Sequence, residues 1–281
     1  MEKYLTSIVK HLFLLILLVA IEFPIFYTIS SSFKTNSEIL AYPSNVLPVE
    51  PTFDNYIQAW NSDSFNVGKM FFNSLWYTLG MVFINVMVSS MGGYVFARGN
   101  FKGKNVIFTI FCALLFVNLG SITMYPKFQI LELLHIPRSL PGLLFLNCFG
   151  IPVANIYLVR GFVNGIPKEI DEAAKIDGCS FGRIYFSIIL HLLTPILATI
   201  AIMTFNASWN DYLMPLIFTM TKPEQRTLIV GVVSLKTSGE AAASWNLMLA
   251  GTTVALIPVL IAYGIGNKYF IEGLATGAVK G

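Results

Sequence analysis

Along the chain, apolar positions gather into six runs of about 20 residues, the length an α-helix needs to cross about 30 Å of hydrocarbon. They cover residues 12–32, 73–97, 106–125, 141–160, 184–206 and 248–269. The pattern predicts an all-α integral membrane protein with six transmembrane helices and a single transmembrane domain over 1–281. Two longer polar stretches, 33–72 and 207–247, carry proline, aromatic and Asn/Asp residues, as in "AYPSNVLPVEPTFDNYIQAW", and read as packed loops with short helices. Lys3 and Lys10 before "LFLLILLVAI" also fit a signal peptide. The apolar run resumes after Glu22 as "FPIFYTI" with no small-x-small cleavage site, which favours an uncleaved first span.

One segment breaks the apolar pattern. In "EIDEAAKIDGCSFGR" (Glu169 to Arg183) six of fifteen residues are charged. Pro167 suits the first position of a helix, and Glu169, Asp171 and Glu172 complement the dipole at its start. Asp177 and Gly178 suit a left-handed exit, and Ser180 suits the cap of the next helix. The expected element is a helix over about 167–178, roughly 16 Å long at 1.5 Å per residue. Its 3-4 spacing puts Ile166, Ile170, Ala173, Ala174 and Asp177 on a small, apolar face, and Lys168, Glu169, Asp171, Glu172 and Lys175 on a charged one. So short a helix is marginal alone in water. An interfacial helix would carry bulky apolar groups below and Lys or Arg above; small residues with an acidic bias point instead to docking on a soluble protein.

Charge then sets orientation. With both termini inside, eleven of the eighteen Lys and Arg residues fall on cytoplasmic segments, which places the charged helix in the cytoplasm between spans four and five. Mean hydropathy is +0.69, as in membrane proteins. A net charge of +3 without a dense basic cluster excludes a nucleic-acid partner. Cys112, Cys148 and Cys179 are far apart and the three histidines are scattered, so neither a disulfide framework nor a metal site is expected. "GNFKGKN" (Gly99 to Asn105) has the wrong spacing for a phosphate-binding loop, and Asn follows its lysine.

"EIDEAAKIDGCSFGRIYFSIILHLLTP" resembles the EAA loop of the membrane subunits of bacterial ATP-binding-cassette importers, matching at Glu172, Ala173, Ala174, Asp177 and Gly178. Leu190-His191 departs from the usual Leu-Pro pair, with the next proline at Pro195. "SSFKT", "PTFDNYIQAW", "FFNSLWYTLG", "YVFAR", "SWNDYLMPLIF" and "YFIEGLATGAVKG" extend the resemblance to the carbohydrate branch, in its MalG-like form. It implies a type I importer permease in the bacterial cytoplasmic membrane. Implied partners are a second, homologous permease subunit, a cytoplasmic ATPase dimer, an extracytoplasmic solute-binding protein and a saccharide. The resemblance further implies that the chain itself binds no cofactor and that ATP and Mg belong to the ATPases. Glu172 would pair with a basic group of the ATPase, Ala173 and Ala174 would fill its cleft, and Gly178 would allow the exit turn. Glu169, Ile176 and Asp177 would belong to the same contact set. The terminal "GLATGAVKG" fits either a further ATPase contact or a frayed end.

For the substrate pathway, Asn206, Trp209, Asn210, Asp211 and Tyr212 combine aromatic faces with amide and carboxylate groups suited to a sugar; they equally fit an interfacial belt with loop caps. Glu22, inside an apolar run, would face a cavity or partner or stay protonated. Lys127 fits a surface charge better than a saccharide contact. An ion-coupled secondary transporter or channel is the competing reading, but it leaves the charged helix unexplained.

Overall fold

The computed structural model describes residues 2–62, 65–117, 120–237 and 241–278, and every regular element in them is helical. In chain order the first five are α1 (Glu2–Ser31), α2 (Asn36–Ala41), α3 (Asp54–Asn61), α4 (Val67–Arg98) and α5 (Lys104–Leu114). Next come α6 (Met124–Leu133), α7 (Leu140–Cys148), α8 (Val153–Gly165), α9 (Glu169–Ile176) and α10 (Phe181–Ile184). A π-helical turn (Tyr185–Ile189) leads to α11 (Leu190–Leu192), α12 (Thr194–Trp209), α13 (Leu213–Phe218), α14 (Leu228–Thr237) and α15 (Ala241–Ala278). The chain packs as two compact units, Met1–Phe72 with Thr227–Ile257, and Asn73–Arg226 with Pro258–Gly281.

In the first unit the expected packed loops are built around buried polar groups. Asn55 Nδ2 donates to the carbonyls of Ser32 (2.7 Å) and Lys34 (2.8 Å), while Asn55 Oδ1 accepts from Asn246 (2.8 Å). Lys34, fully buried, donates to Asn45 O and lies over the Tyr27 ring. Asn55 and Lys34 thus find partners for their buried polar atoms, which offsets the cost of taking them out of water. Phe65, Val67, Met70, Leu228 and Leu235 form the apolar core. By contrast the span Thr6–Ser31 of α1 contains an 18-residue window of mean hydropathy 2.5 with none of its residues buried within the chain, as suits a lipid-facing helix.

In the second unit the main core joins Tyr94 of α4, Val159 and Val163 of α8, Ala174 of α9, Ile184, Tyr185 and Ile189, and Ile196 and Ile200 of α12. α4 and α8 approach closely at Gly93, where a Cβ would stand 2.4 Å from Val159 Cγ1. Smaller clusters gather around Tyr77, Leu143 and Phe218, and around Phe96, Phe108 and Ile156.

Three of the expected apolar runs fall in continuous helices: Thr6–Ser31, Val67–Arg98, and Ser244–Gly266 beyond a kink at Ser244 in α15. The run at 141–160 is two helices, α7 and α8, bent by 43°. Gly150 and Pro152 fall at the break, and proline supplies no N–H to continue the first helix. The run at 184–206 is bent by 77° between Leu192 and Thr194. There Pro195 lacks the N–H that would reach His191 O, and Thr194 Oγ1 donates to that carbonyl instead (2.7 Å). Just before the bend, Leu190 N–H donates to Tyr185 O in the wider π spacing, and the Tyr185 and Ser90 hydroxyls share a buried 2.6 Å hydrogen bond. The run at 106–125 differs most. Its helix ends at Leu114, and Gly120 takes φ 47°, a left-handed turn that an α-helix does not contain. Of the terminal "GLATGAVKG", α15 reaches Ala278 and the last three residues lie outside the described residues.

Candidate coupling site and pathway residues

α9 starts two residues later than Pro167 and spans eight residues, with Glu169, Asp171 and Glu172 in its first turn and Lys175 in its last. Acids at the N-terminus and a base at the C-terminus both complement the helix dipole. Its end is a double-bonded left-handed turn. Gly178 has φ 77°, its N–H donates to Lys175 O (3.0 Å), and the Cys179 N–H donates to Ala174 O (2.9 Å). Ser180 Oγ then accepts from Arg183 N–H (3.3 Å) and caps α10.

The faces of α9 differ from the expected division. Asp171 and Ala174 are buried and Ile170 half-buried, whereas Glu169, Glu172, Ala173, Ile176 and Asp177 are exposed. Ala174, expected to fill a partner's cleft beside Ala173, packs into this chain's own core. Asp171, expected on the solvated face, turns inward because a buried cation meets it. Arg98 Nε stands 2.9 Å from Asp171 Oδ2, and the two side chains are 8 % and 7 % exposed. Arg98 Nη2 donates to Ile166 O (2.6 Å), and the Tyr94 hydroxyl lies 3.4 Å from Asp171 Oδ1. Sequence reasoning missed this pair; the signal available was a lone arginine closing "YVFAR".

Beside α9 a cleft of about 620 Å³ is lined by polar groups that include Asn100, Lys104, Lys168, Glu172 and Lys175. Lys104, from the segment resembling a phosphate loop, donates to Ala97 O (3.2 Å) and Gly99 O (2.8 Å), so it caps the carbonyl end of α4. Partial burial, and then the positive charges of Arg160 and Lys168, hold its ammonium below the ordinary lysine range.

The pathway candidates cluster at the end of α12. Trp209 is buried and lies parallel to Phe205 at 5.7 Å, so its face is not open to a ligand. Asn210 Nδ2 donates to Asn206 O and Asn206 Oδ1, both at 2.9 Å. Asp211 Oδ1 accepts from Met214 N–H (3.4 Å) at the start of α13. Burial pushes the Asp211 carboxyl above the usual carboxylate range, against the Met214 N–H, the Lys127 charge and the Leu213 N–H. Tyr212 is half-buried. Glu22 belongs to the other unit, exposed on α1. Among the described residues no group of His, Cys, Asp or Glu is arranged to hold a metal ion.

Comparison with known proteins agrees over nearly the whole chain. The arabinooligosaccharides transport system permease protein AraQ of Bacillus subtilis is 35 % identical over 273 residues, covering 96 % of this chain and 94 % of that protein. The galactooligosaccharides transport system permease protein GanQ of the same organism is 30 % identical, covering 100 % and 98 %. A crystal structure of a bacterial ABC transporter involved in import of the acidic polysaccharide alginate matches with a TM-score of 0.80 at 24 % identity, covering 96 % of this chain and 98 % of that one, so the two share a fold. The family model for binding-protein-dependent transport system inner membrane components matches residues 5–274. The chain is therefore an integral membrane component of a binding-protein-dependent transport system, and it belongs to that family.

Proposed function

We propose that this chain is a permease subunit of an ATP-driven importer of oligosaccharides, forming half of the translocation pathway. The observation that carries this reading is the two-sided character of α9. Its inner side is fixed to the chain by Asp171 and Ala174, and its outer side leaves Glu169, Glu172, Ala173, Ile176 and Asp177 open. Ile176, an apolar side chain 87 % exposed at the end of α9, suits a surface that a partner covers. That partner is a cytoplasmic ATPase dimer, which binds ATP and Mg and hydrolyses the nucleotide; this chain holds no nucleotide. A second, homologous permease completes the pathway, and an extracytoplasmic binding protein delivers the sugar. The names of the relatives support the saccharide class. The lysine and arginine distribution supports cytoplasmic termini and six crossings, three continuous and three made of broken or short helices. Closure of the ATPases draws α9 with it, and the bundle rocks between inward- and outward-facing states.

The test is co-purification followed by reconstitution. The chain should bring down an ATPase and a second membrane subunit, and ATP hydrolysis should rise when sugar-loaded binding protein is added. Glu172→Lys should release the ATPase. Movement of solute by the purified chain alone, driven by an ion gradient, would defeat the proposal.

A further inference from the structure

α9 is too short to be rigid by itself, since eight residues make a marginal helix in water. Whatever moves it must reach the membrane helices through its attachments. Those attachments converge on the last turn of α4. Arg98 closes that helix, and its guanidinium takes Asp171 from the first turn of α9 through Nε and the Ile166 carbonyl from the end of α8 through Nη2. One turn earlier, the Tyr94 ring stacks on Phe181 at 4.6 Å, at the start of α10, and its hydroxyl reaches Asp171. The approach to α9, its first turn and the helix that follows it are thus all fastened to one turn of α4. The pair also sits well in the helix dipoles, a cation at the C-terminus of α4 and an anion at the N-terminus of α9.

A buried ion pair is a poor way to gain stability, because desolvation of both charges consumes most of their attraction and an apolar pair would fill the space as well. It is a good way to fix one orientation. We infer that Arg98 and Asp171 are positioning residues for transport: the joint through which displacement of α9 is delivered to α4. This rests on the proposed docking of α9 on an ATPase, and it is distinct from the docking itself, whose residues lie on the opposite side of α9.

The experiment uses the complete complex in proteoliposomes and reads sugar moved per ATP hydrolysed. Asp171→Asn and Arg98→Met should each lower that ratio at least tenfold. The joint should then be replaceable by a covalent one. In a chain whose three native cysteines are serine, Arg98→Cys with Asp171→Cys, bridged by a short bis-methanethiosulfonate, should recover the ratio and lose it again on reduction. Single variants that assemble and keep the parental ratio would overturn the inference, as would a bridged form no better than its reduced form. Loss of assembly in all of these variants would also overturn it, marking the pair as a folding element only. An Ala173→Cys chain with Arg98 and Asp171 intact separates the two readings. If it never cross-links to the ATPase, docking fails; if it cross-links while the ratio ignores the joint, only this inference fails.

Discussion

Gly178 offers a perturbation whose cost can be isolated. Its φ of 77° is left-handed, and a Cβ built on it meets no atom within 4 Å, so Gly178→Ala introduces no clash. What remains is backbone strain, roughly 1–2 kcal/mol for an L-residue in that region. Alanine recovers part of this, about 0.4–1 kcal/mol, because it restricts the open chain more than glycine does. The net effect is about 1 kcal/mol for alanine and more for valine, whose branched Cβ narrows the choice further. The strain falls on the two hydrogen bonds that close α9, from the Gly178 and Cys179 N–H groups. Hydrogen exchange at those amides reads their opening directly, and about 1 kcal/mol corresponds to a factor of about 5 for alanine. Gly182 is the control. It also has nothing within 4 Å of its Cβ, but it lies in α10 without a positive φ, so Gly182→Ala should leave exchange unchanged or slow it. The reasoning fails if Gly178→Ala and Gly182→Ala exchange alike at Cys179. Gly178→Val should additionally lower sugar uptake per ATP, because the exit of α9 is redirected.

Gly93→Ala forces a Cβ to 2.4 Å from Val159 Cγ1 and 3.0 Å from the Arg160 backbone nitrogen, which cannot swing away. It should cost about 1–3 kcal/mol, read as a lower inactivation temperature in detergent. Gly92→Ala, which meets only side-chain atoms of Ile156 at 3.1 Å or more and no backbone, should cost less; equal losses would refute the packing argument. Asp211 has a folded pKa raised by burial, so the folded state holds a proton that the unfolded state has released. Its contribution to stability is full below the unfolded carboxylate value of about 4 and is lost as pH rises through the folded value. Asp211→Asn, which keeps an oxygen for the Met214 N–H, should be more stable than the parent at neutral pH and should flatten that slope; a parallel pH profile in both would count against the assignment.

The local chemistry of α9 was readable because its signals are local. Acids at the start, glycine at the exit and serine before α10 each act within a turn, and each sits where those rules place it. The inward turn of Asp171 was not readable, because periodicity assigns a charge to solvent unless its partner is known, and Arg98 lies 73 residues away. The same limit explains the spans. Apolar composition reports preference for lipid and not helix continuity, so Gly150 and Pro152 interrupt 141–160 without making it polar. At 184–206, a departure at His191 was visible, but that Pro195 would set the bend depended on the geometry of the turn before it. Trp209 looked like a ligand platform from its neighbours in the sequence; its burial beside Phe205 is tertiary.

The π turn at Tyr185–Ile189 stores a spare amino acid. A helix wound at about 3.6 residues per turn would be thrown out of phase by roughly 100° on losing one residue. In this stretch a single deletion instead lets the backbone tighten into the ordinary winding, and the flanks on either side keep their bearing. Length variation in this span is therefore absorbed just ahead of the 77° bend, where elsewhere in the same helix it would scramble every contact downstream.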